Sequence, residues 1–68
     1  MNNKFAERLK ELREEMNLSQ NELAEKTGFS VACINRWEKN IRVPNVESLF
    51  ILCLFFKVPA DYLIGLEN

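Results

Sequence analysis

The chain has 68 residues, 47% of them hydrophobic and 28% charged, which bounds it to one small globular domain, read here as spanning residues 1–68, with too little chain for a closed catalytic pocket. A net charge of −1 and a pI of about 5.4 exclude a uniformly basic binder of nucleic acid. With two cysteines and no histidine, a Cys/His zinc site is excluded, and no apolar run reaches the roughly 18 residues of a membrane span.

The spacing of Phe5, Leu9, Leu12 and Met16 predicts a first amphipathic helix from about Lys4 to Met16, with this stripe packed inward. Lys4, Arg8, Lys10 and Arg13 alternate with acids and read as a solvated face carrying i,i+4 pairs.

Ser19 to Trp37 carries the densest local signals. Ser19 is an N-cap, and Glu22 three residues on closes a capping box, with Leu18 and Leu23 as a hydrophobic staple. A second helix therefore runs from Gln20 to about Lys26, and Gly28 ends it by taking the left-handed backbone that a tight turn needs. A third helix is predicted from Ser30 to about Lys39, with Phe29 and Ile34 repeating the staple. Ala24 is small enough for the second and third helices to cross closely. Ile34 and Trp37, three apart, share the inward face, so Trp37 reads as core rather than as a base-stacking platform. Val31, Ala32, Asn35, Arg36 and Lys39 are left outward. Cys33 reads as a half-buried filler rather than a redox sensor, and Cys33 and Cys53 as reduced thiols rather than a disulfide. Two short helices joined by one tight turn are a helix-turn-helix unit, whose second helix can enter a DNA major groove.

Lys39 to Pro44 forms a loop in which Asn40 tolerates a left-handed backbone. From Ser30 to Pro44 the charges are Arg36, Lys39 and Arg42 against Glu38 alone, while Glu7, Glu11, Glu14, Glu15, Glu22 and Glu25 crowd the first two helices. A local basic face on an acidic body can hold phosphate, with weak and salt-dependent nonspecific binding. A fourth helix starts at the Asn45 cap and runs to about Phe56, its inward face set by Val46, Leu49, Leu52, Cys53 and Phe56. Phe50, Ile51, Leu54 and Phe55 make the other side apolar too. They read either as an association surface or as a face covered by the fifth helix and the C-terminal tail. The fifth helix, about Pro59 to Ile64, has Pro59 at its start, Asp61 in its first turn and Gly65 at its end, with Tyr62 and Leu63 packing back on the core.

Gln20, Leu23-Ala24, Thr27-Gly28-Phe29-Ser30, Ile34 and Asn35-Arg36-Trp37-Glu38 resemble the helix-turn-helix of the phage repressor and Cro (XRE-like) family, and the resemblance extends from about Phe5 to Ile64. It implies an all-α, compact five-helix bundle of the lambda-repressor-like DNA-binding type. It places the base readers at Val31, Ala32 and Arg36, with Asn35 added as a reader of adenine or a holder of phosphate, and the phosphate contacts at Gln20, Ser30, Lys39, the backbone amide of Asn40, and Arg42. Gln20 keeps its other reading as an exposed polar residue, and Lys39 to Arg42 that of a solvated basic loop. The resemblance also pairs Arg13 with Glu38, clamping the first helix to the end of the third. Arg36 suits guanine, whereas Val31 and Ala32 can only pack on thymine methyls, so part of any specificity falls to DNA shape.

The function expected is that of a sequence-specific regulator binding double-stranded DNA, most simply a repressor. It would act as a cytoplasmic homodimer that reads an inverted repeat, dimerising through Phe50, Ile51, Leu54 and Phe55 or through Pro59, Tyr62 and Leu66. No enzyme activity, cofactor, metal or membrane partner is expected, as no nucleophile–base pair or Gly-rich phosphate loop is present. The other reading is a protein-interaction module that keeps the fold without DNA binding, which the acidic pI and the apolar fourth helix favour.

Overall fold

The computed structural model describes residues 4–66. Among them are five helices and no strand: α1 (Phe5–Glu15), α2 (Gln20–Thr27), α3 (Val31–Glu38), α4 (Val46–Phe56) and α5 (Ala60–Ile64). Three of the five helix starts carry a side-chain cap. At α2 the Ser19 hydroxyl accepts from the Glu22 amide at 3.0 Å, and the Glu22 carboxylate accepts from the Ser19 amide at 2.8 Å. That reciprocal pair satisfies two N-terminal donors that the helix itself cannot. Ser30 caps α3 through the Cys33 amide at 3.1 Å, and Asn45 caps α4 through the Ser48 amide at 2.8 Å. Gly28 closes α2 at φ +85°.

Two C-termini close through asparagine. After α1, Asn17 takes φ +57°, and the Leu18 and Asn17 amides return to the Arg13 and Glu14 carbonyls at 3.1 and 2.9 Å. After α3, Asn40 takes φ +60°, and the Ile41 and Asn40 amides return to the Arg36 and Trp37 carbonyls at 3.0 and 3.1 Å. Both are Schellman closures, with asparagine in the position that glycine usually fills.

Phe5, Leu9, Leu23, Ala24, Ile34, Trp37, Leu52 and Leu63 form the core, to which every helix contributes. Trp37 is its hub: Phe5 and Phe29 approach edge-on, with ring centroids at 6.1 and 4.9 Å. At 3% exposed, Trp37 offers no face for base stacking. α1 packs on α3 and α5, and α2 packs on α3 and α4.

Three positions depart from the sequence expectation. Met16 is 48% exposed: α1 ends at Glu15, and the turn at Asn17 carries the chain away before the stripe's last member reaches the core. Val46 is 83% exposed: by helical spacing it shares the open side of α4 with Phe50 and Leu54, about 120° away from buried Leu52. Arg8, read as solvated, instead lies 4.4 Å from the centre of the Tyr62 ring and donates to the Tyr62 carbonyl. Its stem and guanidinium fasten α5 to α1. The Lys4 amide donates to the Ile64 carbonyl at 3.2 Å, so the start of α1 and the end of α5 meet.

Candidate nucleic-acid interface

α3 presents two opposed faces. Ile34 and Trp37 are buried; Val31, Ala32, Arg36 and Lys39 are exposed, and Asn35 is half-buried at the rim facing α2. At 100° per residue the exposed side chains span one side of the rod, with Ala32 and Lys39 near its centre. Arg36, Lys39 and Arg42 make no ion pair among the described residues, so their charges face solvent. Beside Val31 lies an open concavity of about 510 Å³ lined by Asn21, Ala24, Glu25 and Phe29. Asn21 there is an exposed polar residue in the first turn of α2 that sequence reasoning passed over; only the pairing of α2 with α3 brings it near Val31.

A polar chain runs behind the exposed face. Arg13 reaches from α1 and grips Glu38 at the end of α3 with two parallel bonds, Nε to Oε2 at 2.7 Å and Nη2 to Oε1 at 3.0 Å. The side chains are only 11% and 4% exposed, and Arg13 Nη1 also donates to the Leu18 carbonyl at 2.7 Å. The hydrogen bond to Glu38 raises the Arg13 pKa further, against the opposing effect of burial. Gln20 Nε2 donates to the same Glu38 Oε1 at 3.1 Å, and Gln20 Oε1 accepts from Asn35 Nδ2 at 3.3 Å. Four side chains on three helices thus form one connected set. Gln20, expected beside a phosphate, is half-buried and bonded within the chain at both ends of its amide. The Asn40 backbone amide, expected at a phosphate, is instead taken up by the Trp37 carbonyl at 3.1 Å in closing α3, and Asn40 is exposed.

A helix-turn-helix family model matches residues 9–63, spanning α2, the turn, α3 and the packing helices. The chain belongs to the XRE-like helix-turn-helix family. It is 41% identical over 64 residues to the HTH-type transcriptional activator BcrR of Enterococcus faecalis, covering 94% of this chain and 31% of that protein. It is 34% identical over 64 residues to the HTH-type transcriptional regulator ImmR of Bacillus subtilis, covering 94% of this chain and 50% of that one. The chain thus spans half or less of the length of these two relatives. A crystal structure of a transcriptional regulator from Listeria innocua superposes with a TM-score of 0.88 at 25% identity, over all of this chain and 64% of the other.

This helix-turn-helix domain carries a second exposed feature, away from α3. α4 and α5 frame an apolar groove of about 270 Å³ lined by Val46, Leu49, Phe50, Cys53, Val58, Pro59 and Ala60. Phe50 and Leu54, both 62% exposed, continue the stripe begun by Val46 at i, i+4 and i+8. Ile51 is half-buried, and Phe55 is half-buried against the core with its ring edge-on to Phe56 at 5.0 Å. The open apolar surface therefore centres on Val46, Phe50 and Leu54. Cys53 in the groove floor is a free thiol whose pKa is pushed up by burial. No helix among the described residues is long and apolar enough to cross a membrane.

Proposed function

We propose that the chain is a sequence-specific DNA-binding domain of a transcriptional regulator, reading the major groove with α3. The observation that carries this is the exposed face of α3. Arg36 and Lys39 stand unpaired beside small apolar Val31 and Ala32, on a rod fixed from behind by Trp37 and by the Arg13–Glu38 pair. Arg36 forks onto guanine, Val31 and Ala32 pack on thymine methyls, and Ser30, Lys39, Asn40 and Arg42 hold phosphates together with the N-terminal amides of α2. Family membership and relatives named as transcriptional regulators support the reading.

Two copies related by a two-fold axis would place two α3 helices about 34 Å apart on an inverted repeat. The apolar stripe on α4 and the adjoining groove supply a self-complementary surface for that pairing. Repression by steric exclusion of polymerase is the simplest output. The relative named an activator is consistent with the same docking and a different downstream contact.

The test is selection from a random duplex pool followed by titration. Arg36→Ala should weaken the selected site by about 1–3 kcal/mol and leave random DNA nearly unchanged. Loss of Lys39 or Arg42 should lower the salt slope by about one each. Absence of binding at any salt would favour the second reading, a protein-interaction module, which the pI of about 5.4 and the apolar groove recommend.

A further inference from the structure

We propose that Gln20 is a positioning residue that fixes which way round the Asn35 amide meets DNA, so that Asn35 selects adenine; this rests on the DNA-binding reading above. The argument is one of obligatory donors and acceptors. A carboxylate oxygen facing a guanidinium can only accept, and both Glu38 oxygens accept from the bidentate Arg13 guanidinium, which can only donate. Gln20 therefore has to turn its Nε2 toward Glu38 Oε1, at 3.1 Å, because the reverse orientation would set two oxygens against each other. With Nε2 committed, Gln20 Oε1 faces Asn35 and takes one N–H from Nδ2 at 3.3 Å. Asn35 is left with Oδ1 and its second N–H at the rim of the α3 face.

That remaining pair matches one base edge. In the major groove adenine presents an N6 donor beside an N7 acceptor, and an asparagine amide meets both at once. A freely turning amide would present donor or acceptor with equal ease; this one arrives with a single polarity, set three residues back along the chain of bonds by a charge on α1. The base preference at Asn35 is thus written partly on α2 and α1, neither of which need touch the base.

The test uses a random duplex pool and three variants of the full chain. Wild type should enrich adenine at one position of each half-site, and Asn35→Ala should abolish that enrichment alone. Gln20→Leu should lower the adenine preference about tenfold while shifting mixed-sequence affinity less than threefold. Gln20→Glu keeps an acceptor facing Asn35 but sets a carboxylate against Glu38, so it should retain the preference while the melting temperature falls. A merely structural Gln20 predicts the opposite order, with preference following stability. In free wild-type protein the Asn35 side-chain amide should show an NMR order parameter near that of rigid backbone, about 0.8, and a value below about 0.6 overturns the proposal without any variant. Unchanged adenine preference in Gln20→Leu overturns it too. Failure of wild type to enrich any sequence would instead bring down the DNA-binding reading itself.

Discussion

Burial decides what single side chains are worth here. Arg13 and Glu38 are exposed by only 11% and 4%, so removing one leaves the other an uncompensated charge out of water. Arg13→Ala or Glu38→Ala should each cost about 3–5 kcal/mol in urea unfolding. The joint change Arg13→Met with Glu38→Leu should cost less than either, because no orphan charge is left. A loss under about 1 kcal/mol in Glu38→Ala would mean that water reaches the pair. Glu22 acts through pH instead. Hydrogen bonds from the Ser19 amide and then from its side chain hold the Glu22 carboxyl below the usual carboxylate range. Its native pKa lies below its unfolded one, so this stabilisation is complete above the ordinary value near 4.3 and disappears as pH falls through the lowered one. The urea midpoints of wild type and Glu22→Gln should therefore converge on acidification from about pH 5 to pH 3, and a constant gap would refute the assignment. What the sequence could not disclose at this scale is reach. Gln20 and Asn35 meet across fifteen positions of chain, and Arg8 meets Tyr62 across fifty-four, by way of helix packing that no local pattern encodes.

At the scale of elements, caps were legible because their chemistry is local. Ser19 with Glu22, Ser30, Asn45, Gly28 and Gly65 mark helix ends that a reader can find from residue type and spacing alone. Periodicity was less informative at the margins. It assigned Met16 to the inward face correctly by angle, but angle does not say how far the neighbouring helices extend, and it placed Val46 inward although that residue heads the open stripe of Phe50 and Leu54. The two glycines also differ in a way visible only in three dimensions. A Cβ on Gly28 would meet nothing within 4 Å, whereas one on Gly65 would stand 2.8 Å from the Lys4 Cβ. Both have positive φ, so Gly28→Ala should cost about 1 kcal/mol from backbone strain alone. Gly65→Ala should cost more, about 2–3 kcal/mol, since α5 must also lift from α1. Equal melting temperatures for the two variants would mean that the seam between Lys4 and Gly65 yields freely.

For the whole molecule, two surfaces lie on separate helices and answer to separate measurements. In the proposal above, the α3 face governs DNA affinity and its salt dependence, and the Val46, Phe50 and Leu54 stripe governs self-association. Phe50→Lys with Leu54→Lys should give monomers by sedimentation and should weaken an inverted repeat far more than an isolated half-site, since only the former needs both copies. Both positions are 62% exposed, so the fold should withstand the change. A double variant that still sediments as a dimer would move the interface elsewhere. The sequence pointed to α4 as apolar all round, yet its set of Phe50, Ile51, Leu54 and Phe55 straddled the boundary between covered and open surface. Ile51 and Phe55 are half-buried, whereas Val46, assigned inward, stands most open.

The bond from the Lys4 amide to the Ile64 carbonyl makes the path of the backbone nearly a closed ring. A short tether across that junction, with the chain reopened in the exposed stretch between Ile41 and Val43, would preserve every helix in a rearranged order. The backbone thus enters α1 and leaves α5 at one shared pole of the domain.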